Sequence, residues 1–105
     1  GLYASDYESL GDEFLELECY EEALDCYNKA IEIDSQEVNV DLYLCKGDIL
    51  HKMQNFDEEM VCYLQIMDAG AHFDWQYQEL GDRWSRLGHS DKASVCYARA
   101  RDLSQ

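Results

Sequence analysis

Residues 7–14 read YESLGDEF, and together with Cys26-Tyr27 they decide the fold, because the same spaced pattern returns twice along the chain. The later copies are marked by Tyr43, Gly47, Asp48, Leu50, Cys62 and Tyr63, and then by Tyr77, Gly81, Asp82, Trp84, Cys96 and Tyr97. The glycines at 11, 47 and 81 are 36 and then 34 residues apart. Repetition at such a period is typical of a helical solenoid, in which each unit buries its apolar face against its neighbour. We therefore expect an extended binding surface rather than an active site.

Apolar residues recur every three or four positions within each copy, which predicts amphipathic helices. In the first copy one stripe runs from Tyr7 to Leu17 and a second runs from Tyr20 to Ile31. The chain has no proline, so Gly70 and Gly88 are the expected C-terminal ends of helices. We predict an all-α fold, an α-solenoid of six helices at roughly residues 4–18, 20–34, 40–53, 56–69, 74–87 and 90–104.

The repeated glycines fall inside predicted helices, where each costs about 1 kcal/mol relative to alanine. Their recurrence predicts that the companion helix passes too closely for a side chain, with Ala23 and Ala93 opposite the first and third glycines. The middle copy differs, because Glu59 lies opposite Gly47 and Lys46 replaces a leucine. Either Lys46 and Glu59 form an ion pair, or the two side chains point apart into solvent.

The charge of the chain limits the partners it can bind. The formal net charge is −15, and the part up to Glu37 contributes −11, from 12 acids against Lys29 alone. Nucleic acid and an anionic membrane surface would both be repelled. A cationic protein partner would be attracted. The alternative is that the acidic residues only keep a helical protein in solution.

The five cysteines are predicted to be packing residues in a reducing, cytoplasmic compartment. Cys26, Cys62 and Cys96 occupy equivalent positions in successive copies. Equivalent positions in stacked helices lie about 8–10 Å apart, beyond the reach of a disulfide or a shared metal ion. No run of residues approaches the roughly 18–20 apolar residues that span a bilayer. The chain starts without methionine or a signal peptide, so we expect it to be processed or excised from a longer one.

No sequence pattern indicates catalysis, a metal site or a cofactor. The chain has no glycine-rich phosphate loop, and His51, His72 and His89 lack the spacing of a metal site or a catalytic triad. Neighbouring carboxylates are expected by chance among 23 acidic residues. We therefore expect a protein that is not an enzyme.

The spacing of aromatic residues, Leu-Gly and alanines resembles that of the tetratricopeptide repeat (TPR) family. The matching residues are Tyr7, Leu10, Gly11, Phe14, Ala23, Tyr27 and Ala30 in the first copy and Tyr77, Leu80, Gly81, Trp84, Ala93, Tyr97 and Ala100 in the third. The middle copy keeps Tyr43, Gly47 and Tyr63 but has Glu59 and Ile66 in place of the alanines. The resemblance implies a single domain over residues 1–105, with repeats at about 4–39, 40–73 and 74–105. It also implies that three antiparallel helix pairs stack into a right-handed superhelix.

The resemblance further implies a concave groove that binds a segment of another protein, as in adaptors and scaffolds. Residues about 100° from the core stripes would line this groove, namely Glu8, Asp12, Glu16, Asp41, Leu44, Cys45, Asp48, His51, Trp75, Gln78, Glu79 and Asp82. Chaperone-binding members of the family hold a terminal carboxylate with Lys, Arg and Asn side chains. This chain has none of those residue types at the matching positions, so we predict a basic, partly apolar peptide or helix as its partner.

The expected apolar anchor for that partner is Trp75, with Leu44 nearby. Packing of Trp75 against the preceding turn is the alternative. The aspartates that follow the three glycines would form a row with steps of about 10 Å, and a cationic ligand would relieve their mutual repulsion.

A self-assembling scaffold is the second function that the pattern allows. The last stripe, formed by Ala93, Tyr97 and Ala100, would be partly open, and so would one face of the first helix. Either flanking sequence covers these surfaces, or copies of the chain stack end to end as a homo-oligomer.

Overall fold

The described part of the chain forms six helices. The computed structural model describes residues 2–105, and within that range all regular secondary structure is α-helical. The helices are α1 (Ala4–Glu16), α2 (Tyr20–Ile33), α3 (Val40–Lys52), α4 (Phe56–Ala69), α5 (Asp74–Arg86) and α6 (Ser90–Ser104). The predicted all-α fold class is confirmed, and each helix ends within two residues of its predicted boundary. Among the helices described, none is both long and apolar enough to cross a membrane.

The chain forms two compact units, and their boundary lies inside α4. The first unit ends at Gln65, and the second runs from Ile66 to Gln105. In the first unit α2 packs against both α1 and α3. The buried core there consists of Ala23, Tyr27, Ala30, Leu42 and Ile49. In the second unit α5 packs along α6, and Leu80, Trp84 and Cys96 are completely buried.

A residue with left-handed backbone follows the first helix of each pair. These residues are Glu18 after α1, Gln54 after α3 and Gly88 after α5, with φ of 58°, 61° and 83°. Gly70, which follows α4, has φ of 86°, so both glycines predicted to end helices do so. Only glycine adopts this conformation without steric conflict at Cβ. Glu18 and Gln54 therefore hold strained backbone at the position that glycine occupies in the third pair.

Each repeated glycine is covered by the tyrosine ring of its own Cys-Tyr pair. A Cβ atom added to Gly11 would lie 2.7 Å from Cε2 of Tyr27, and one added to Gly81 would lie 2.6 Å from Cε1 of Tyr97. These distances are shorter than carbon atoms tolerate, so alanine does not fit at either position unless the ring moves.

The middle pair repeats this arrangement. A Cβ atom added to Gly47 would lie 2.8 Å from Cζ of Tyr63. The predicted close approach is therefore confirmed in all three pairs. The prediction was wrong about the approaching group, because an aromatic ring covers each glycine where we expected helix backbone beside Ala23 and Ala93.

The cysteines of the repeated pairs are packing residues, as predicted. Cys26, Cys62 and Cys96 are buried, and all five cysteines are free. Burial raises the pKa of Cys62 and of Cys96 to about 11. These two thiols are therefore protonated at neutral pH and are poor nucleophiles.

Candidate functional site

Two of the aspartates predicted to line the groove accept hydrogen bonds from the companion helix. The hydroxyl of Tyr27 on α2 donates to Asp12 on α1, and the hydroxyl of Tyr97 on α6 donates to Asp82 on α5 at 2.6 Å. Both aspartates are exposed. The tyrosines therefore fix the direction of carboxylates that remain in contact with water, which leaves them able to meet a ligand.

The middle pair places a different acid at the tyrosine hydroxyl. Tyr63 donates to Oε2 of Glu59 at 2.6 Å, and Nδ1 of His51 lies 2.9 Å from Oε1 of the same carboxyl group. Glu59 is completely buried, so the alternative in which its side chain points into solvent is wrong. His51, predicted as a groove residue, instead supports this buried group, and its ring packs edge-on against Phe56. The ion pair with Lys46 remains a prediction.

Three of the predicted site residues form an acidic cluster on α1 and α3. Burial raises the pKa of Glu8, and the nearby charges of Asp12 and Asp41 raise it further. A carboxyl group that keeps its proton more tightly in this way lies in a negative local potential. A cation that entered the cluster would make that potential less negative and so favour the ionised form of Glu8.

Cys45 joins the same cluster from α3. Burial raises the pKa of its thiol to about 11, against the opposing effect of a hydrogen bond with Tyr27. The charges of Asp48, Asp12 and Glu8 contribute to the increase. The first unit thus brings together five of the predicted residues: Glu8, Asp12, Asp41, Cys45 and Asp48. Within residues 2–105 no group of acids, histidines and thiols is arranged to hold a metal ion.

A cleft of about 390 Å³ in the first unit shares Asp48 with this cluster. Its lining residues are Leu15, Glu16, Glu18, Tyr20, Asp48, Ile49 and Lys52. The cleft therefore combines three carboxyl groups with two partly exposed apolar side chains, Leu15 and Tyr20, while Ile49 behind them is 1% exposed. We call the cluster and this cleft together the acidic site.

A second cleft of about 380 Å³ lies between α5 and α6 in the second unit, and we call it the α5–α6 cleft. Its lining residues are Asp74, Trp75, Gln78, Glu79, Ala100, Arg101 and Ser104. The ring of Trp75 stacks on Phe73 in the preceding turn, with ring centroids 6.1 Å apart and planes at 9°. Trp75 therefore packs against the preceding turn, which was the alternative to its role as an anchor, yet 47% of the residue stays exposed.

One predicted groove residue is not at the surface. Leu44 is 3% exposed, so its prediction as an apolar anchor is wrong. It corresponds to Glu8 of the first copy, and an apolar side chain at that position turns towards the core instead of solvent.

Sequence reasoning missed several residues that line the two clefts. Lys52 lies four positions after Asp48 on α3, so helical spacing could have found it. Glu18 and Tyr20 lie in and just after the turn between α1 and α2, where a rule based on helix faces does not apply. Arg101 is on the second helix of its pair, whereas the prediction considered only first helices.

Comparison with known proteins places the chain among TPR structures. Residues 11–54 match the family model described as TPR repeat. No curated protein matches the chain. The crystal structure of MamA superposes with a TM-score of 0.76 at 22% identity, covering 97% of this chain, which spans only 58% of MamA. The second TPR of Spaghetti (RPAP3), bound to the HSP90 peptide SRMEEVD, superposes with a TM-score of 0.72 at 20% identity, covering 95% of this chain and 91% of that one.

These comparisons agree on the fold. The matched sequence and the superposed helices agree, so the resemblance found in the sequence is confirmed: residues 11–54 match TPR repeat sequence, and the chain has the helical repeat fold of these structures. Its three helix pairs correspond to three repeats.

Proposed function

We propose that the acidic site binds a basic, partly apolar peptide or helix of a partner protein. The observation that carries this proposal is the combination, in the first unit, of partly exposed apolar side chains with the carboxyl groups of the cleft and the cluster. The TPR fold supports the general class, a protein-interaction module rather than an enzyme. The charge of the site supports the chemistry of the ligand.

The charges of the acidic site would contribute more to the choice of ligand than to the affinity for it. An exposed ion pair contributes at most about 1 kcal/mol, so the acidic cluster mainly speeds encounter and rejects acidic segments. Lys52 lines the cleft, and its charge would direct a cationic side chain away from it and towards Glu8, Asp12 and Asp41. The order of charges along the site thus favours one binding register.

Apolar contact would supply most of the affinity. Arginine and lysine have long aliphatic stems that pack on apolar surface while the charged end remains near acids and water. Leu15 and the ring of Tyr20, both partly exposed, provide such a surface in the cleft, which also contains the carboxyl groups of Glu16 and Asp48. Its volume is near the lower end of the roughly 300–1,000 Å³ that small-ligand pockets span, which suits one or two side chains.

The peptide bound by the Spaghetti (RPAP3) repeat offers a natural contrast. Its sequence SRMEEVD contains three acidic residues. In the chain described here the cluster residues Glu8, Asp12 and Asp41 are themselves acidic, so we expect that this peptide does not bind.

Fluorescence anisotropy with a labelled peptide of alternating arginine, leucine and alanine, amidated at its C-terminus, tests the proposal. Glu8→Gln, Asp12→Asn and Asp41→Asn together are expected to weaken binding about tenfold or more. Asparagine at position 12 keeps an acceptor for the Tyr27 hydroxyl, so the variant removes charge without releasing the ring. Raising salt from about 50 mM to about 300 mM is expected to weaken binding of the wild type, because screening shortens the range of the charges.

A variant with the same change in net charge provides the matched control. Glu21→Gln, Glu22→Gln and Glu32→Gln alter exposed residues of α2 and are expected to leave the affinity within about twofold. The proposal would be contradicted if SRMEEVD, or a peptide with glutamate in place of arginine, bound the wild type as tightly as the arginine peptide does. It would also be contradicted if the arginine peptide bound equally well to the two triple variants.

We further propose that this module serves as an adaptor or scaffold in the cytoplasm. The five free thiols support a reducing compartment, since an oxidising one favours disulfides. The charge supports protein partners over nucleic acid and membranes.

A further inference from the structure

A tyrosine hydroxyl in the first unit links three helices. Tyr27 on α2 donates its single hydroxyl proton to Oδ1 of Asp12 on α1. The thiol of Cys45 on α3 shares a hydrogen bond with the same hydroxyl group. Because the hydroxyl proton is already donated to Asp12, the thiol is the donor in this second bond. A chain of two hydrogen bonds therefore runs from α3 through α2 to α1 and ends on a carboxyl group of the acidic site.

The tyrosine that holds this carboxyl group is fixed in the core. Tyr27 is 1% exposed, and its ring lies so close to Gly11 that an added Cβ atom would be 2.7 Å from Cε2. Asp12 itself is exposed. An exposed aspartate is ordinarily free to change its rotamer, but this one is held by a group that cannot move with it. The site therefore presents the carboxyl group of Asp12 to solvent in one orientation.

The hydrogen bond from tyrosine leaves most of the accepting capacity of Asp12 for a ligand. An ionised carboxyl group has two oxygens with about four lone-pair sites, and the hydroxyl occupies one of them. Glu8 lies one helical turn before Asp12 on the same face of α1, and the charge of Asp41 reaches Glu8 from α3. A cation that binds Asp12 therefore meets two further acids beside it.

A carboxyl group held in one direction favours a donor of equally fixed shape. The guanidinium group of arginine is planar and presents its N–H groups in a rigid fork that matches the two oxygens of a carboxylate. Little freedom is lost when two such groups meet, because both are already oriented. The ammonium group of lysine is a compact charge with rotating donors, so it gains the attraction of the acids but little from their direction.

We infer that the acidic site selects arginine over lysine, and that the hydrogen bond from Tyr27 to Asp12 is the cause of the selection. Asp12 is the group that contacts the ligand, and Tyr27 is a positioning residue that acts through it. The inference rests on the proposed function, since it names the residue that the site recognises in a basic segment of the partner.

Fluorescence anisotropy on the wild type gives the first test. The probes are the amidated arginine peptide, the same peptide with lysine at every arginine, and the same peptide with asymmetrically dimethylated arginine. All three carry the same charge at neutral pH, but lysine lacks the fork and methylation blocks it. We expect the arginine peptide to bind about fivefold more tightly than either of the other two.

Removing the tyrosine hydroxyl tests the cause of the preference. In Tyr27→Phe the carboxyl group of Asp12 is no longer held, so the affinity for the arginine peptide is expected to fall to that for the lysine peptide. The affinity for the lysine peptide is expected to stay within about twofold, whereas general damage to the site would weaken both peptides alike. Circular dichroism confirms that the variant is folded, and the dimethylarginine comparison does not depend on any variant.

The third helix pair provides a matched control. Tyr97→Phe removes the equivalent hydroxyl from Asp82, which is exposed and lies outside the acidic site. This variant is expected to keep the full preference for arginine.

The outcomes distinguish failure of the inference from failure of the proposed function. Equal binding of the arginine and lysine peptides, or of the arginine and dimethylarginine peptides, would overturn the inference and leave the proposed function standing. An unchanged preference in Tyr27→Phe, or an equal loss of preference in Tyr97→Phe, would do the same. Failure of the wild type to bind any of the three peptides would overturn the proposed function and the inference with it.

Discussion

The middle and third helix pairs share one packing arrangement but satisfy it with different acids. In both pairs a tyrosine ring lies on a glycine, Tyr63 on Gly47 and Tyr97 on Gly81. The hydroxyl of Tyr63 donates to a completely buried glutamate, whereas that of Tyr97 donates to an exposed aspartate. The ring-on-glycine contact therefore defines the repeat, and the polar end of the tyrosine can be satisfied either in the core or at the surface.

Two facing positions explain the difference. The residues of the third pair that correspond to His51 and Glu59 are Ser85 and Ala93. Ser85 Oγ lies 3.4 Å from the Tyr97 hydroxyl. Glu59 is one helical turn before Tyr63 and accepts a hydrogen bond from its hydroxyl, and His51 contacts the same carboxyl group from α3. The middle pair has thus replaced a small apolar residue with a buried polar network, which is stable only while every member is satisfied.

The largest expected effect is that of adding a methyl group at the repeated glycines. Gly47→Ala is expected to lower the free energy of unfolding by about 3 kcal/mol, because Tyr63 is completely buried and cannot move aside. Gly81→Ala is expected to lower it by about 1–2 kcal/mol, since Tyr97 is only partly buried and can turn towards solvent. Urea titration followed by circular dichroism measures both. Equal losses of stability in the two variants would show that burial of the tyrosine ring does not determine how well alanine is tolerated at the glycine.

The same titration tests the proposal that the three repeats are one domain. Both tryptophans, Trp75 and Trp84, lie after residue 65, so their fluorescence reports on the second unit alone. A single domain is expected to give coincident transitions by fluorescence and by circular dichroism. Separate transitions would contradict it.

Removing the tyrosine hydroxyls gives the next largest effect. Tyr63→Phe is expected to destabilise the protein by about 2 kcal/mol, because it takes a donor away from the buried carboxyl group of Glu59. Tyr97→Phe is expected to cost less than about 1 kcal/mol, since water replaces the lost donor at exposed Asp82. A double variant, Glu59→Gln with Tyr63→Phe, measures the coupling between the two groups. A coupling near zero would be inconsistent with a shared network.

Sequence periodicity was sufficient for the helices because each stripe repeats three times. The same repetition marked the glycines as close contacts and the cysteines as buried. It could not name the group above each glycine, because spacing gives the face of a helix and not the reach of a side chain. The sequence suggested Lys46 as an ion-pair partner for Glu59. In the structure Tyr63 and His51 contact the buried carboxyl group of Glu59.

The candidate site was only partly predictable for a related reason. Helix faces correctly grouped Glu8, Asp12 and Asp41. Clefts, however, form where two elements meet, so half of each lining comes from residues outside the predicted face. Leu44 shows the opposite error, since a position that is polar and partly exposed in the first copy is apolar and buried in the second.

A smaller effect is expected at the turns that follow the first helix of each pair. Gln54→Gly is expected to stabilise the protein by roughly 0.5–1 kcal/mol, because it relieves left-handed backbone while adding freedom to the unfolded chain. Gly88→Ala is expected to destabilise by about 1 kcal/mol through the backbone alone, since no atom lies within 4 Å of the added methyl group. Thermal unfolding of the two variants provides the comparison. A loss of stability in Gln54→Gly would mean that the glutamine side chain makes a compensating contact.

The smallest effect concerns ionisation of Tyr97 in the third pair. Its hydrogen bond to Asp82 raises the pKa of the phenol above the ordinary value of 10.0. The stability that this bond contributes is therefore present below pH 10 and is lost as pH rises through the pKa of the folded state. Asp82→Asn removes the negative charge and keeps an acceptor, so ultraviolet titration is expected to show one tyrosine ionising at lower pH than in the wild type. An unchanged titration curve for Asp82→Asn would show that the charge of the aspartate does not raise the pKa of Tyr97.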